Sequence, residues 1–357
     1  MLNNTIKKIN PLKIFKDYWQ KGAYQKIKVV FFSLIILAVL VIYILGQIYI
    51  YSERNIPYQM GVTFVPDYAE SLGLNPNQTL NALLNINIKN FRFTSYWSDV
   101  EPNQNSYNFS ELDQEFSLAN DHHAKVLLVV GLRQPRWPEC HPPNWIAGQK
   151  TTTWENELYS FMSKVVNRYK NNPALYGFQV ENEYFLKGFG DCTNFSRNRL
   201  IHEYNLVKSL APNKEILITR SNNAIGFPVN KPTPDIFGIS IYKRVWDASI
   251  THRYLEYPFP SWYYSFLAEV QRFITGKDMV ITELQAEAWP PKGQTITNTT
   301  LNEQNKSMNA KILKNRFNFA KATGMKKVYF WGAEYWYYRK KVLHDPSLWE
   351  EAKQEFR

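Results

Sequence analysis

Apolar residues fall along this chain in two rhythms. From Val29 to Ile50 they form one run, broken only by Ser33, Gly46 and Gln47. From Gln59 onward they come in short bursts separated by amphipathic stretches. The first rhythm fits a membrane-spanning helix. At about 1.5 Å per residue the run covers a hydrocarbon core of about 30 Å. No polar face interrupts it, which argues against a helix buried in a soluble core. The flank before it carries Lys7, Lys8, Lys13, Lys16, Lys21, Lys26 and Lys28 against Asp17 alone, and the flank after it has no cationic excess. The positive-inside rule then predicts a cytoplasmic N-terminus, with everything after residue 51 outside. A cleaved signal peptide is the rival. It is disfavoured by the long basic region, the length of the run and the lack of a small-x-small site.

The second rhythm predicts eight strands: Gln59–Phe64, Asn90–Thr94, Lys125–Gly131, Tyr176–Val180, Glu215–Thr219, Ile236–Ile241, Met279–Thr282 and Lys327–Trp331. Continuous apolar runs such as Val126-Leu127-Leu128-Val129-Val130 suit parallel strands buried on both faces. Helical patterns separate them at Gln78–Leu84, Glu111–Asn120, Trp154–Tyr169, Ser196–Leu210, Ser261–Thr275 and Ser307–Thr323. This alternation predicts an α/β fold, a (β/α)8 barrel preceded by one transmembrane helix. A doubly wound sheet is second choice, because no Gly-rich phosphate loop follows an early strand. The expected division is a cytoplasmic basic segment at 1–28, an anchor at 29–50, a linker at 51–57, a barrel at 58–346 and a helical tail at 347–357.

Composition adds little beyond this. The 357 residues are 45% hydrophobic and 16% aromatic, enough for a full core. The net charge is +11, and +6 of it lies in the first 28 residues. The remainder is only mildly basic, so the charge predicts lipid headgroups as partner for the N-terminal lysines and no nucleic acid. The six histidines show no metal spacing, and neither metal nor cofactor is expected.

Catalytic groups of such barrels sit where strands end. Strand two ends near Arg92, strand four at Asn182-Glu183, strand six at Tyr242, strand seven at Glu283 and strand eight at Trp331. Two carboxylates at two strand ends are what cleavage of a glycosidic bond needs: one protonates the leaving oxygen and the other attacks the anomeric carbon. Glu283 is the expected nucleophile, with Arg92 and the Tyr242 hydroxyl as candidate charge partners. Glu183 is the expected acid and then base, its proton held by burial and by the negative Glu283. The plainer reading is that each glutamate merely starts a helix and suits its dipole. Glu181 is expected to face outward from the barrel or to support the site, and Glu101, Glu287 and Glu334 to be loop carboxylates, either solvated charges or contacts to sugar hydroxyls. Trp97, Trp137, Trp145, Trp246, Trp289, Trp331 and Trp336 crowd the predicted loops, where indole stacks on sugar C–H faces. Trp331 is the expected subsite floor, with Trp97 and Trp289 as further sugar contacts.

These residues resemble those of the retaining glycoside hydrolases of clan A. Gln179-Val180-Glu181-Asn182-Glu183-Tyr184 is similar to the acid/base motif of the family 35 and 42 β-galactosidases. Tyr96-Trp97-Ser98-Asp99-Val100-Glu101-Pro102, with Tyr107-Asn108-Phe109 and Leu112-Asp113, is similar to a segment of the same clan. Strand six ends Ser240-Ile241-Tyr242 without the His-x-Tyr common in family 5, and strand three ends without His. The resemblance implies the same roles for Glu183 and Glu283. The expectation is a membrane-anchored retaining β-glycosidase acting on carbohydrate outside the cytoplasmic membrane. A non-catalytic carbohydrate-binding barrel and a transglycosylase acting on surface glycans remain as alternatives. The only two cysteines, Cys140 and Cys192, follow strands three and four. They sit in neighbouring loops of a domain expected to be extracytoplasmic, so a disulfide is predicted.

Overall fold

The structure is a computed structural model describing Lys13, Lys16 and residues 22–192, 195–221 and 231–357. Most of the basic segment 1–28 lies outside the described residues. Eight parallel strands close into a barrel: β1 Gln59–Phe64, β2 Asn90–Phe93, β3 Lys125–Val130, β4 Leu175–Val180, β5 Glu215–Ser221, β6 Ile236–Ile241, β7 Met279–Gln285 and β8 Lys327–Trp331. They follow one another in chain order, and β8 pairs with β1. Closure rules out the doubly wound sheet. The helices are α1 Ala23–Glu53, α2 Pro66–Ser71, α3 Pro76–Asn85, α4 Trp97–Val100, α5 Ser110–Asp121 and α6 Thr151–Tyr169, followed by α7 Arg197–Leu210, α8 Ser261–Thr275, α9 Leu301–Ser307, α10 Ala310–Ala322, α11 Ala333–Lys341 and α12 Ser347–Glu355. An antiparallel hairpin, Arg244–Trp246 with Tyr254–Glu256, stands between β6 and α8.

Strand alternation divides the interior into two layers. On β3, Val126, Leu128 and Val130 pack outward into the main core under the helices, whereas Leu127 points inward. Inside the barrel it meets Leu217, Val280 and Tyr329, which form a small separate apolar cluster. The interior is tight. A Cβ on Gly238 of β6 would come within 2.6 Å of the methyl groups of both Thr219 and Thr282.

β7 does not keep strict alternation. Ile239 pairs with Ile281 but Ser240 pairs with Glu283, so β7 carries one extra residue, Thr282. The same step appears against β8, between Val328 and Phe330. With Val280 inside and Ile281 outside, regular alternation would turn Glu283 toward the helices. The bulge restores it to the interior and sends Leu284 into the main core.

Two outer elements differ from the sequence expectation. The predicted helix Ser307–Thr323 is broken at Met308, which is extended and separates α9 from α10. The apolar helix α1 does not end at residue 50; it runs to Glu53, and its last turns pack along α8. Tyr43 meets the Trp262 ring at 5.6 Å, and buried Tyr49 donates to the Met279 carbonyl at 3.3 Å. Glu53 pairs with Arg272 at 2.9 Å. A Cβ on Gly46 would lie 2.4 Å from the Trp262 carbonyl oxygen, so only glycine allows this approach. At the other terminus, α12 buries Leu348, Trp349 and Ala352 in the main core, so the tail is part of the barrel wall.

Candidate active site

Arg92 on β2 is fully buried, with one carboxylate and several neutral acceptors around its guanidinium. Its Nη1 donates to Glu283 Oε1 at 2.8 Å, its Nη2 to Asn182 Oδ1 at 2.7 Å and its Nε to Gln179 Oε1 at 2.8 Å. The Tyr242 hydroxyl donates to the other oxygen of Glu283 at 2.6 Å. Burial, and then the Glu283 charge, raise the Tyr242 phenol well above its usual value, so it stays a donor. A buried carboxylate held by a guanidinium and a phenol is fixed in place with both oxygens hydrogen-bonded.

Glu183 lies in a different environment. It follows β4 in a turn where Glu181 and Glu183 both adopt positive φ, 58° and 42°. Such backbone costs about 1–3 kcal/mol per residue and persists only where neighbours over-determine it. Here they do. The Glu181 N–H donates to the Val130 carbonyl and the Asn182 N–H to the Arg133 carbonyl. The Glu183 N–H donates to Thr219 Oγ1 at 2.8 Å. The Glu181 carboxylate faces outward from the barrel as expected, buried 3.7 Å from Arg199 of α7, and accepts from the N–H groups of Leu132 and Arg133. It thus ties the loop after β3 to the loop after β4. Burial, then the negative Glu283, push the Glu183 carboxyl up to about 7, with Ser240 and Ser221 pulling the other way.

A cavity of about 610 Å3 opens above these groups, within the range of ligand sites. Glu183, Glu283, Tyr242, Trp289 and Trp331 line it; Arg92 and Asn182 lie beneath and act through Glu283 and its surroundings. Trp97 is not there. It is fully buried, stacked on Phe161 and bonded through Nε1 to Glu101, so this predicted sugar contact is core packing instead. Trp137 and Trp246, named only among the loop aromatics, do line the cavity.

Two wall features were not anticipated. Arg136 lies over the Trp331 ring at 4.1 Å and the Tyr68 ring at 3.3 Å, and pairs with Glu287 through both nitrogens. Glu287 also accepts from Trp331 Nε1 at 2.8 Å, while Glu334 accepts from the Val65 N–H. These two carboxylates therefore fix the Trp331 platform and the β1 exit; neither is a solvated loop charge. The second feature is Glu139, buried and facing the cavity, with Asn182 Nδ2 at 3.4 Å from its Oε2. Burial and the neighbouring Glu183 and Glu283 charges raise its carboxyl well above the usual range. The only sequence signal for it was its place beside Cys140. Cys140 and Cys192 form a disulfide with Cα atoms 5.4 Å apart, joining these two rim loops.

No family model and no curated protein matches the chain. Solved structures do. The barrel superposes on barrels found in solved glycoside hydrolases. Xylanase 10B from Thermotoga petrophila RKU-1, in complex with xylobiose, superposes with a TM-score of 0.55 at 16% identity, over 85% of this chain and 95% of that one. A β-galactosidase from the Antarctic haloarchaeon Halorubrum lacusprofundi gives 0.53 at 14%, over 76% of this chain and 52% of that one. An exo-β-1,4-mannosidase from an Opitutaceae bacterium gives 0.54 at 12%, over 77% and 51%. This chain thus spans about half the length of the last two. At these identities the likeness is one of fold.

Proposed function

We propose that the chain is a membrane-anchored retaining β-glycosidase. The observation that carries this reading is that two of the carboxyls lining the cavity, Glu183 and Glu283, stand in opposed environments. Glu283 is held by Arg92 and Tyr242, and Glu183 is pushed up to about 7. In the first step Glu283 attacks the anomeric carbon as the glycosidic C–O bond breaks, and Glu183 gives its proton to the leaving oxygen. In the second, Glu183 takes a proton from water, which displaces Glu283 with net retention. Trp331, held by Glu287 and Arg136, would stack on the reacting sugar, and Asn182, beneath the cavity, would help to hold Arg92 in place against Glu283. The resemblance of the Glu183 motif to β-galactosidases makes aryl β-galactosides the first substrates to try. The transglycosylase alternative shares the covalent intermediate and differs in the acceptor.

Product stereochemistry followed by NMR tests the mechanism. Retention is expected, with the two carboxyl groups about 5–5.5 Å apart. Inverted product would sink it. Glu283→Ala should abolish turnover while leaving the fold intact, and azide should restore an α-glycosyl product. Normal rates in both Glu283→Ala and Glu183→Ala on an unactivated substrate would mean that other residues do the chemistry.

A further inference from the structure

The direction in which α1 leaves the barrel bears on where the substrate is. α8 begins at Ser261, directly after the connection whose Val245, Trp246 and Tyr257 line the cavity, and it ends shortly before Met279, at the opposite end of the barrel. α1 lies along α8 in the same direction. Tyr43 meets Trp262, at the catalytic end. Tyr49 reaches Met279, Glu53 pairs with Arg272, and Ile50 packs on Gly324 just before β8, all at the far end. Followed backwards from Tyr43, the helix therefore leaves the barrel on the side of the cavity mouth.

The length beyond that point has no slack. Every residue from Val30 to Val41 is exposed, whereas Gly46 and Tyr49 are buried against the barrel. The free apolar part, Val29 to Val41, spans only about 20 Å at about 1.5 Å per residue, less than the roughly 30 Å of a hydrocarbon core, and Lys26 and Lys28 before it suit headgroup level. If α1 crosses a bilayer, nearly all of this part lies inside it, and the bilayer surface falls close to Trp262. The 51–57 segment cannot act as a tether, because it follows the docked turns and leads into β1.

A second observation concerns the rim. Large apolar side chains project from three loops on this side: Trp137 after β3, Phe189 after β4, and Ile250, Leu255 and Phe259 after β6. Trp137 is 63% exposed and Ile250 84%. Aromatic and apolar groups of this kind settle at the boundary between headgroups and acyl chains. Ile56, Phe273 and Ile274 are also exposed but lie toward the other end, so the rim is not the only apolar surface.

We infer that the catalytic mouth faces the bilayer crossed by α1, and that its substrate is a glycan borne on a membrane lipid. This rests on the proposed anchor and glycosidase readings. A soluble polysaccharide would have to enter between the rim and the headgroups, whereas a sugar on a lipid is already presented there.

The test uses the full chain in vesicles of phosphatidylethanolamine and phosphatidylglycerol, spin-labelled at Ile250→Cys, Phe273→Cys or Val39→Cys. The native cysteines are bonded to each other and do not react. The label at 250 should be relaxed by oxygen dissolved in lipid and shielded from a water-soluble nickel chelate. The label at 273 should show the reverse. Equal chelate access at 250 and 273, with the label at 39 in lipid, would overturn the orientation alone; an aqueous label at 39 would overturn the anchor and the orientation together. In the same vesicles, a glycosyl diacylglycerol should be turned over faster than the same sugar on a soluble oligosaccharide. Equal or slower turnover would overturn the substrate assignment. No turnover of the glycolipid, the soluble oligosaccharide or a soluble aryl glycoside would instead refute the glycosidase reading, while the label at 250 still reports the orientation.

Discussion

At the scale of single residues, Glu183 and Glu283 differ only in what surrounds them. Two donors, one of them a cation, fill the oxygens of Glu283, whereas Glu183 has an oxygen without a partner and a negative neighbour. A carboxyl raised to about 7 is protonated below that pH and loses its proton above it. As a general acid it should therefore set the alkaline limb of kcat/KM near pH 7. In Glu183→Gln the limb should disappear, with turnover of unactivated substrates down by about 10²–10⁴ and of good leaving groups by less. A limb that persists unchanged in this variant would assign the acid elsewhere. Both glutamates, Arg92, Tyr242 and Trp331 were legible because each stands where an apolar strand ends. Arg136 and Glu139 were not, because they lie inside a loop whose path depends on the Glu181 carboxylate and on the disulfide. Trp97 misled for a related reason: a tryptophan near a strand end can as well turn into the core.

At the scale of elements, the eight strands were readable because parallel strands in this architecture are apolar on both faces. The β7 bulge was not. A two-residue period read from Val280 places Glu283 on the wrong side, and only the paired registers of β6 and β8 show the extra residue. Deleting Thr282 would remove the extra residue without re-phasing the strand: Glu283 would follow Ile281 directly, still face the interior and still pair with Ser240. The pair that holds Glu283 is tested by Arg92→Met, which leaves the buried carboxylate without its cation. Breaking a buried pair of this kind costs about 3–5 kcal/mol. Activity should collapse and the unfolding midpoint should fall. A variant with wild-type stability and turnover would show that Arg92 does not hold Glu283 for its proposed role. The break at Met308 and the three-residue strands of the hairpin were likewise below what local pattern resolves, since neither changes the hydrophobic period for long enough. The disulfide joins loops 52 residues apart in sequence, and chain-entropy models give such a closure about 4 kcal/mol. Reduction under mild conditions should therefore lower the midpoint and loosen the rim around Glu139.

At the scale of the whole molecule, the apolar run was legible as one long helix, but the docking of its last turns on the barrel was not. Hydropathy is the same whether an apolar residue meets lipid or α8. The distinguishing marks are Gly46, Tyr49 and Glu53, each meaningful only beside Trp262, Met279 and Arg272. The last turns of α1 are thus part of the barrel wall. A chain beginning at residue 52 keeps all eight strands but loses Tyr49, whose ring is buried between α8 and the start of β7. Its remaining helical residues are too few to hold a turn, so the Glu53 pair with Arg272 should be lost as well. Removing a buried aromatic ring costs about 3–5 kcal/mol. A chain beginning at residue 42 retains these contacts and sheds the free apolar part. In urea titrations the chain from residue 42 should have the higher midpoint, by a margin of that order. Equal midpoints would mean that the docked turns of α1 contribute nothing to stability, and that the helix does not sit firmly on the barrel.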